Sequence, residues 1–187
     1  MREAPKLNPF SYVVLTLVGE GGAGPHDIVR MMRRGAWQWR ASESQYYAEP
    51  KRLAALGLLT AHKEPGITRE RTVYELTDAG RDALRAWLAT PSGPPRIQNE
   101  PLLRALASEY VDPELTIAAL RPLRAELEES LALEAEGEEV APTLPRRERI
   151  LRINHRLVRR VIEAHQLWLD EIEAELAGQA DEPYGMT

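Results

Sequence analysis

The sequence predicts a mainly α-helical protein in two parts. Apolar residues recur at helical spacing through the first half, except where two short strand-like runs flank a Pro-Gly turn. This half therefore reads as three helices, a two-stranded hairpin and a further helix. A proline-rich run, TPSGPPRIQNE, separates it from a second half that is helical throughout. These observations predict a first domain at 1–90, a linker at 91–100, a helical domain at 101–177 and a flexible tail at 178–187.

Composition narrows the class of protein. Of 187 residues, 43% are hydrophobic and 28% are charged, which is ordinary for a soluble protein. The absence of cysteine excludes disulfides, thiolate zinc sites and thiol nucleophiles. No apolar run approaches the length of about 18 residues that spans a membrane, so we expect a cytoplasmic protein with no membrane partner. The net charge is +3 over residues 1–95 and −8 over residues 96–187, and the basic half permits binding to nucleic acid.

The first two helices follow from apolar periodicity and from glycine and proline positions. The first is predicted over 9–20 and is closed by the glycines of EGGAG; its apolar stripe is Phe10, Val13, Val14, Leu17 and Val18. The second begins at Gly24, with Pro25 in the first turn, where a missing N–H does no harm. Its candidate buried residues are Ile28, Val29, Met31 and Met32.

The third helix has a polar start. Ser42 and Gln45 fit a capping box, so the helix is predicted to begin at Ser42 and to end at Gly57. Leu53 and Leu56 should share its buried face, and Pro50 should cause a local bend. The adjacent tyrosines point about 100° apart on a helix, so they cannot share one environment. Tyr47 is expected in the core and Tyr46 on the surface.

The hairpin and fourth helix complete the first half. The runs LLTAHKE and RTVYELT flank PGITRE, which makes a turn with a basic tip. Thr77 can cap the helix DAGRDALRAWLA, in which Leu84, Trp87 and Leu88 point one way.

The second half contains two long helical stretches. The first starts at Asp112-Pro113 and should kink or split at Pro122, and a break at 136–145 follows. The last helix, about 146–177, has apolar residues in a heptad pattern that requires a neighbouring helix. We expect that neighbour to be a second copy of the chain. The predicted dimer interface is Leu151, Val158, Val161, Ile162, His165, Trp168, Leu169, Ile172 and Leu176. His165 could have a pH-sensitive or register-fixing role, although a satisfied buried or peripheral histidine is the favoured interpretation.

Three helices followed by a basic hairpin favour DNA binding. In a winged helix-turn-helix, the third helix enters the major groove and the hairpin, or wing, lies along the backbone beside it. Hydroxyl and amide groups at the start of that helix suit phosphate and base contacts, and Gln can pair with adenine. The candidate DNA-binding residues are Ser42, Ser44, Gln45, Tyr46, Lys51, Arg52, Lys63, Arg69 and Arg71. The alternative is that Ser42 and Gln45 only cap the helix; Glu43 counts against DNA.

These features resemble a known family. Residues 10–90 resemble the winged-helix domain of the PadR family of bacterial transcriptional regulators in Trp39, in the stretch Ser42 to Tyr47, in Leu53-x-x-x-Gly57-Leu58 and in Leu76-Thr77-x-x-Gly80. The resemblance implies a homodimeric transcription factor, usually a repressor, whose C-terminal helices form the dimer and which can respond to a small ligand. The family commonly places proline directly after the tyrosine that matches Tyr47. Here Ala48 stands in that position, so an operator preference cannot be transferred.

The remaining candidates concern ligands and catalysis. Trp37, Trp39 and Trp168 could stack a small aromatic effector, although filling the core is the commoner role of tryptophan. The spacing of the histidines and glycines matches no catalytic motif, and no metal, cofactor or enzyme activity is predicted. We expect a homodimeric, ligand-responsive repressor that binds double-stranded DNA at a pseudo-palindromic operator. The alternative is a winged-helix protein-interaction module that does not bind DNA.

Overall fold

The computed structural model describes residues 7–19, 21–34, 41–66, 70–95 and 97–180, and it confirms the predicted mainly helical fold. The chain divides into two compact units, Met1–Pro94 and Pro95–Thr187. The first unit contains α1 (Pro9–Val18), α2 (Pro25–Arg34), α3 (Glu43–Ala55), β1 (Leu59–Glu64), β2 (Arg71–Leu76) and α4 (Asp78–Leu88). The second contains α5 (Glu100–Leu106), α6 (Pro113–Val140) and α7 (Glu148–Ala180), with 3-10 turns at Ser108–Tyr110 and Ala141–Thr143.

The first helix begins at a side-chain cap. The N–H of Ser11 donates to Asn8 Oδ1 at 2.9 Å, and the N–H of Asn8 donates to Ser11 Oγ at 3.1 Å. Gly19, with φ of 52°, ends the helix two residues before the predicted boundary. Val14 and Leu15 are fully buried in the core of the first unit.

The glycine-rich loop after α1 lies against the wing. Ala23 pairs with Tyr74 of β2 through two backbone hydrogen bonds of 3.0 Å. Gly22 has φ of 71°, and a Cβ added at Gly24 would lie 2.9 Å from the carbonyl oxygen of Thr72. The loop therefore needs glycine in order to approach the strand. The glycine run follows helix α1, whereas the glycine loop of a nucleotide-binding motif follows a strand.

Strands β1 and β2 form the predicted antiparallel hairpin, in register from Leu59 with Leu76 to Glu64 with Arg71. At its base, Thr77 Oγ1 accepts the N–H of Gly80 at 3.0 Å and donates to the carbonyl of Gly57 at 2.7 Å. A Cβ at Gly80 would lie 2.1 Å from the carbonyl oxygen of Leu58. The end of α3, the end of the wing and the start of α4 thus meet at one packed junction.

Some expected core positions are exposed. Leu56, the C-cap of α3, is 40% exposed, and Leu88 is 68% exposed. Trp87 lies flat against Tyr12, with ring centroids 4.7 Å apart. Helix α3 continues through the buried Pro50, and α6 runs through Pro122 without splitting.

The two long helices of the second unit pack antiparallel. Arg124 near the start of α6 bonds Asp170 and Glu173 near the end of α7, whereas Glu134 bonds His155 near the start of α7. Leu120 and Leu127 of α6 are buried between them. None of the described helices combines the length and apolarity that crossing a membrane requires.

This packing corrects the predicted dimer interface. Four of the nine predicted residues are buried within a single chain, on the face of α7 that packs against α6: Val158, Ile162, Leu169 and Leu176. The heptad pattern was real, but its neighbouring helix belongs to the same chain, because the break after α6 lets the chain fold back on itself. Leu151, Val161, His165, Trp168 and Ile172 are partly buried at the margins of this face.

A polar pair lies inside the same hairpin. Glu134, only 3% exposed, hydrogen-bonds Nδ1 of His155, and burial raises the pKa of this carboxyl although the bond to His155 lowers it. A Cβ added at Gly137 would lie 2.5 Å from Cε1 of His155. Gly137 therefore provides the space that the imidazole ring occupies.

We expect Gly137→Ala to lower the free energy of unfolding by about 1–3 kcal/mol, because the added methyl group overpacks the ring that Glu134 holds in place. Urea unfolding followed by circular dichroism measures the change. Gly178→Ala, at an open helical position of α7, is the matched control. It should be neutral or stabilising by up to about 1 kcal/mol, since alanine favours helix over glycine. Equal effects of the two substitutions would contradict the described packing around Gly137.

Candidate nucleic-acid interface

An exposed polar cluster marks the start of α3. The N–H of Ser42 donates to Gln45 Oε1 at 2.8 Å, and Ser42 Oγ lies 3.0 Å from Ser44 Oγ and 3.1 Å from Gln45 Oε1. All three residues are exposed, as is Glu43 beside them. The cap therefore uses the oxygen of Gln45 and leaves its amide Nε2 available as a donor. Two-point pairing of Gln45 with adenine would require the cap to open.

The two tyrosines have the opposite environments from those predicted. Tyr46 is 8% exposed and its ring lies 5.5 Å from that of Phe10, so it is a core residue and the prediction of a DNA contact there is wrong. Burial raises the pKa of its hydroxyl. Tyr46 lies seven residues before the buried Leu53, which is the same-face spacing of a helix. The prediction failed because Tyr47 lies six residues before Leu53 and nine before Leu56, spacings that place it about 240° and 180° around the helix from them.

Tyr47 instead lies half-buried at the surface. Its hydroxyl is 3.2 Å from Nδ1 of His26, an exposed residue in the first turn of α2. The two rings meet edge to face, with centroids 5.7 Å apart and planes at 88°. The sequence predicted no role for His26, because no pattern links positions 26 and 47. Only the packing of α2 against α3 brings them together.

Arg52 has a structural role that the sequence did not predict. Its guanidinium donates to Glu49 at 2.6 and 2.9 Å and to Ser11 Oγ of α1 at 2.9 Å. Ser11 is fully buried, and the hydrogen bond from Arg52 holds the pKa of the Glu49 carboxyl below its usual value, although burial raises it. The Arg52 guanidinium, which was predicted to contact DNA phosphate, therefore links α3 to α1.

The wing carries the remaining predicted cations. Lys63 Nζ donates to Thr72 Oγ1 across the hairpin at 3.0 Å. Arg71 bonds Glu64 at 3.0 Å and Asp27 of α2 at 3.3 Å, which links the wing to α2. Lys51 is exposed on α3. Arg69 lies outside the described residues.

Of the three tryptophans predicted to bind a ligand, one lies among the residues that the structure describes. Trp37 and Trp39 lie outside the described residues, and Trp168 is half-buried on α7 in the second unit. His165 is engaged, with Nδ1 2.8 Å from the carbonyl oxygen of Val161 and Nε2 3.1 Å from Asn99 Nδ2. Among the residues that the structure describes, no group of three or more His, Asp and Glu side chains could hold a metal ion.

Sequence comparison links the domain to a family. The model of the transcriptional regulator PadR-like family matches residues 14–86. The negative transcriptional regulator PadR of Bacillus subtilis strain 168 is 32% identical over 107 residues, which cover 56% of this chain and 54% of that protein. The chain thus matches about half the length of that relative.

Solved structures with this fold cover most of the chain. Bacillus subtilis PadR in complex with operator DNA aligns over 92% of this chain and 99% of its own, with a TM-score of 0.75 and 20% identity. The Vibrio cholerae virulence activator AphA aligns over 91% of this chain and 99% of its own, with a TM-score of 0.68 and 27% identity. Bacillus subtilis PadR in complex with p-coumaric acid covers 90% and 98%, with a TM-score of 0.65 and 21% identity. These similarities confirm the winged-helix fold.

We expect Arg52→Met to destabilise the first unit by about 1 kcal/mol, because it keeps the apolar stem but removes the bonds to Glu49 and Ser11. The effect is no larger because 41% of the Arg52 side chain is exposed to water. Folding lowers the pKa of the Glu49 carboxyl. Its contribution to the free energy of unfolding is therefore fully present above the pKa of the unfolded carboxyl, and it is lost as pH falls through the pKa of the folded state.

Thermal unfolding across a pH series measures this contribution. The difference between wild type and Arg52→Met should shrink below about pH 4. Arg85→Met is the control, because the ion pair that Arg85 makes among the described residues is with the exposed Asp82; its effect should stay within about 0.5 kcal/mol. A difference for Arg52→Met that stays constant at acid pH would contradict the role of Glu49.

Proposed function

We propose that this chain is a homodimeric repressor that binds double-stranded DNA. The proposal starts from the match of residues 14–86 to the transcriptional regulator PadR-like family. The observation that carries the proposal is the exposed polar start of α3 beside a wing that bears cations. In this fold, that helix end faces the major groove. Repression is supported by the description of the Bacillus subtilis relative as a negative regulator.

The DNA contacts follow from which side chains are exposed. Ser44 and the Nε2 amide of Gln45 would reach base edges or phosphates at the start of α3. Lys51 on α3 and Lys63 on the wing would meet backbone phosphates, because both ammonium groups are exposed. In a dimer, two copies of α3 would enter successive major grooves about 34–36 Å apart, which requires a pseudo-palindromic operator.

Dimerisation is proposed through a second apolar face of α7. Ile150, Ile153 and Leu157 are 62%, 52% and 59% exposed, at helical spacing and on a different side of the helix from the face that packs on α6. Val161 and Trp168 continue this stripe at its half-buried margin. An apolar stripe of this length on a charged helix is typical of an interface between subunits.

Response to a ligand is the further part of the proposal. Bacillus subtilis PadR has been solved with p-coumaric acid, a small aromatic molecule, which supports an aromatic effector here. An effector would act by binding more tightly to the arrangement of the dimer that does not fit the operator.

The alternative function is a protein-interaction module. Glu43 places a carboxylate at the helix end that would approach phosphates, and the net charge of +3 over residues 1–95 is modest for a DNA-binding domain. Such a module would bind specific and scrambled DNA equally weakly.

We expect the protein to bind labelled DNA from upstream of its own gene more tightly than scrambled DNA. Fluorescence anisotropy at several salt concentrations measures both affinities. Lys51→Ala and Lys63→Ala should each reduce the slope of log affinity against log salt by about 0.9 if each ammonium group neutralises one phosphate. Arg104→Ala, an exposed cation outside the PadR-like domain, is the control and should leave the slope unchanged. Equal, weak binding to both DNAs by wild type would favour the interaction module.

We expect Leu157→Glu to shift the protein from dimer to monomer, because a charge would be buried in the proposed interface. Sedimentation velocity over a concentration series measures the assembly state. Arg156→Glu introduces the same side chain at the adjacent position, which points about 100° away on the helix, and it should remain dimeric. Dimers of unchanged stability in both variants would exclude this face as the interface.

A further inference from the structure

We infer that His26 is a positioning residue that orients the hydroxyl of Tyr47 toward a DNA phosphate. The inference rests on the proposed DNA-binding function and adds one contact to it. Tyr47 would touch the phosphate, and His26 would act through Tyr47.

Two contacts, both with His26, hold the Tyr47 side chain. Its hydroxyl is 3.2 Å from His26 Nδ1, and its ring meets the imidazole edge to face at 5.7 Å. Edge-to-face packing is a favoured aromatic arrangement, and the hydrogen bond adds a direction for the hydroxyl. An exposed tyrosine without such contacts would sample several rotamers, and ordering one of them on binding would oppose association.

The location of the pair suits the DNA backbone. Tyr47 is two residues after Gln45, in the second turn of α3, and it is the tyrosine that remains at the surface when Tyr46 enters the core. His26 lies in the first turn of α2, so the pair bridges the two helices of the helix-turn-helix. Asp27, beside it, is already engaged by the N–H of Gly24 at 3.1 Å and by Arg30 and Arg71 at 2.9 and 3.3 Å.

The chemistry of phosphate sets the direction of the hydrogen bonds. A phosphodiester has acceptors and no donor, so the Tyr47 hydroxyl must give its proton to the phosphate. Its oxygen then accepts from His26, which requires a proton on Nδ1. The chain runs from His26 Nδ1–H to the Tyr47 hydroxyl to the phosphate, and each bond strengthens the next.

A double-mutant cycle tests the pair. Tyr47→Phe removes the hydroxyl and keeps the ring, and His26→Leu removes the donor. Each should weaken binding to the specific DNA by about tenfold, which is typical of a lost hydrogen bond to a charged group that is partly in water. His26→Leu should have no further effect in the Tyr47→Phe background. The ¹⁵N shifts of His26 should report a proton on Nδ1 in the DNA complex.

His26→Asn provides the conservative rescue. Its amide can donate from near the position of Nδ1, so it should bind within about threefold of wild type, whereas His26→Leu should not. This variant also separates positioning from folding, because Asn and Leu are similar in size and circular dichroism reports whether both fold.

The outcomes separate this inference from the proposed function. If wild type binds the operator specifically but the two substitutions are additive, or His26→Leu has no effect, the pairing is overturned and the DNA-binding function stands. If Asn fails to rescue, the donor role of His26 is overturned. If wild type does not distinguish specific from scrambled DNA, the proposed function and this inference fail together.

Discussion

The candidate DNA surface depends on the burial of one stripe of α3. Tyr46, Pro50 and Leu53 enter the core at intervals of four and three residues, and Tyr46 packs against Phe10 of α1. Once this stripe is buried, the rotation of the helix is set, and Ser44, Gln45 and Lys51 must face solvent. The bond from Arg52 to Ser11 fixes the same rotation by polar means. The hydrophobic effect thus determines which polar residues of α3 face solvent.

Close backbone approaches hold the wing beside α3. Gly57 turns the chain at φ of 76°, its carbonyl accepts the Thr77 hydroxyl, and Gly80 leaves room for the carbonyl of Leu58. Each contact joins the end of α3 to the wing or to α4. Gly57, Leu58, Thr77 and Gly80, which carry the family resemblance in this region, therefore hold α3, the wing and α4 together.

In the second unit, helix α7 has one buried and one exposed apolar face. Helix α7 buries Ile162 and Leu169 against α6 while Ile153 and Leu157 remain exposed on another side. The polar contacts of Glu134 with His155 and of Arg124 with Asp170 lie towards opposite ends of the hairpin and set the register of the two helices. Because that face is closed within the chain, the proposed interface with a second copy uses exposed side chains of α7 instead of Val158, Ile162, Leu169 and Leu176.

Local sequence determined where several helices of this protein begin. Ser42 with Gln45, Thr77 with Gly80, and Asp112 with Pro113 act over a few residues, so caps and turns can be recognised without the fold. Tertiary structure alone decided that Arg52 bonds Ser11, that His26 meets Tyr47 and that the heptad face of α7 packs on its own chain. These facts depend on contacts between positions far apart in sequence, and neither periodicity nor spacing carries information about which distant residue will be the partner.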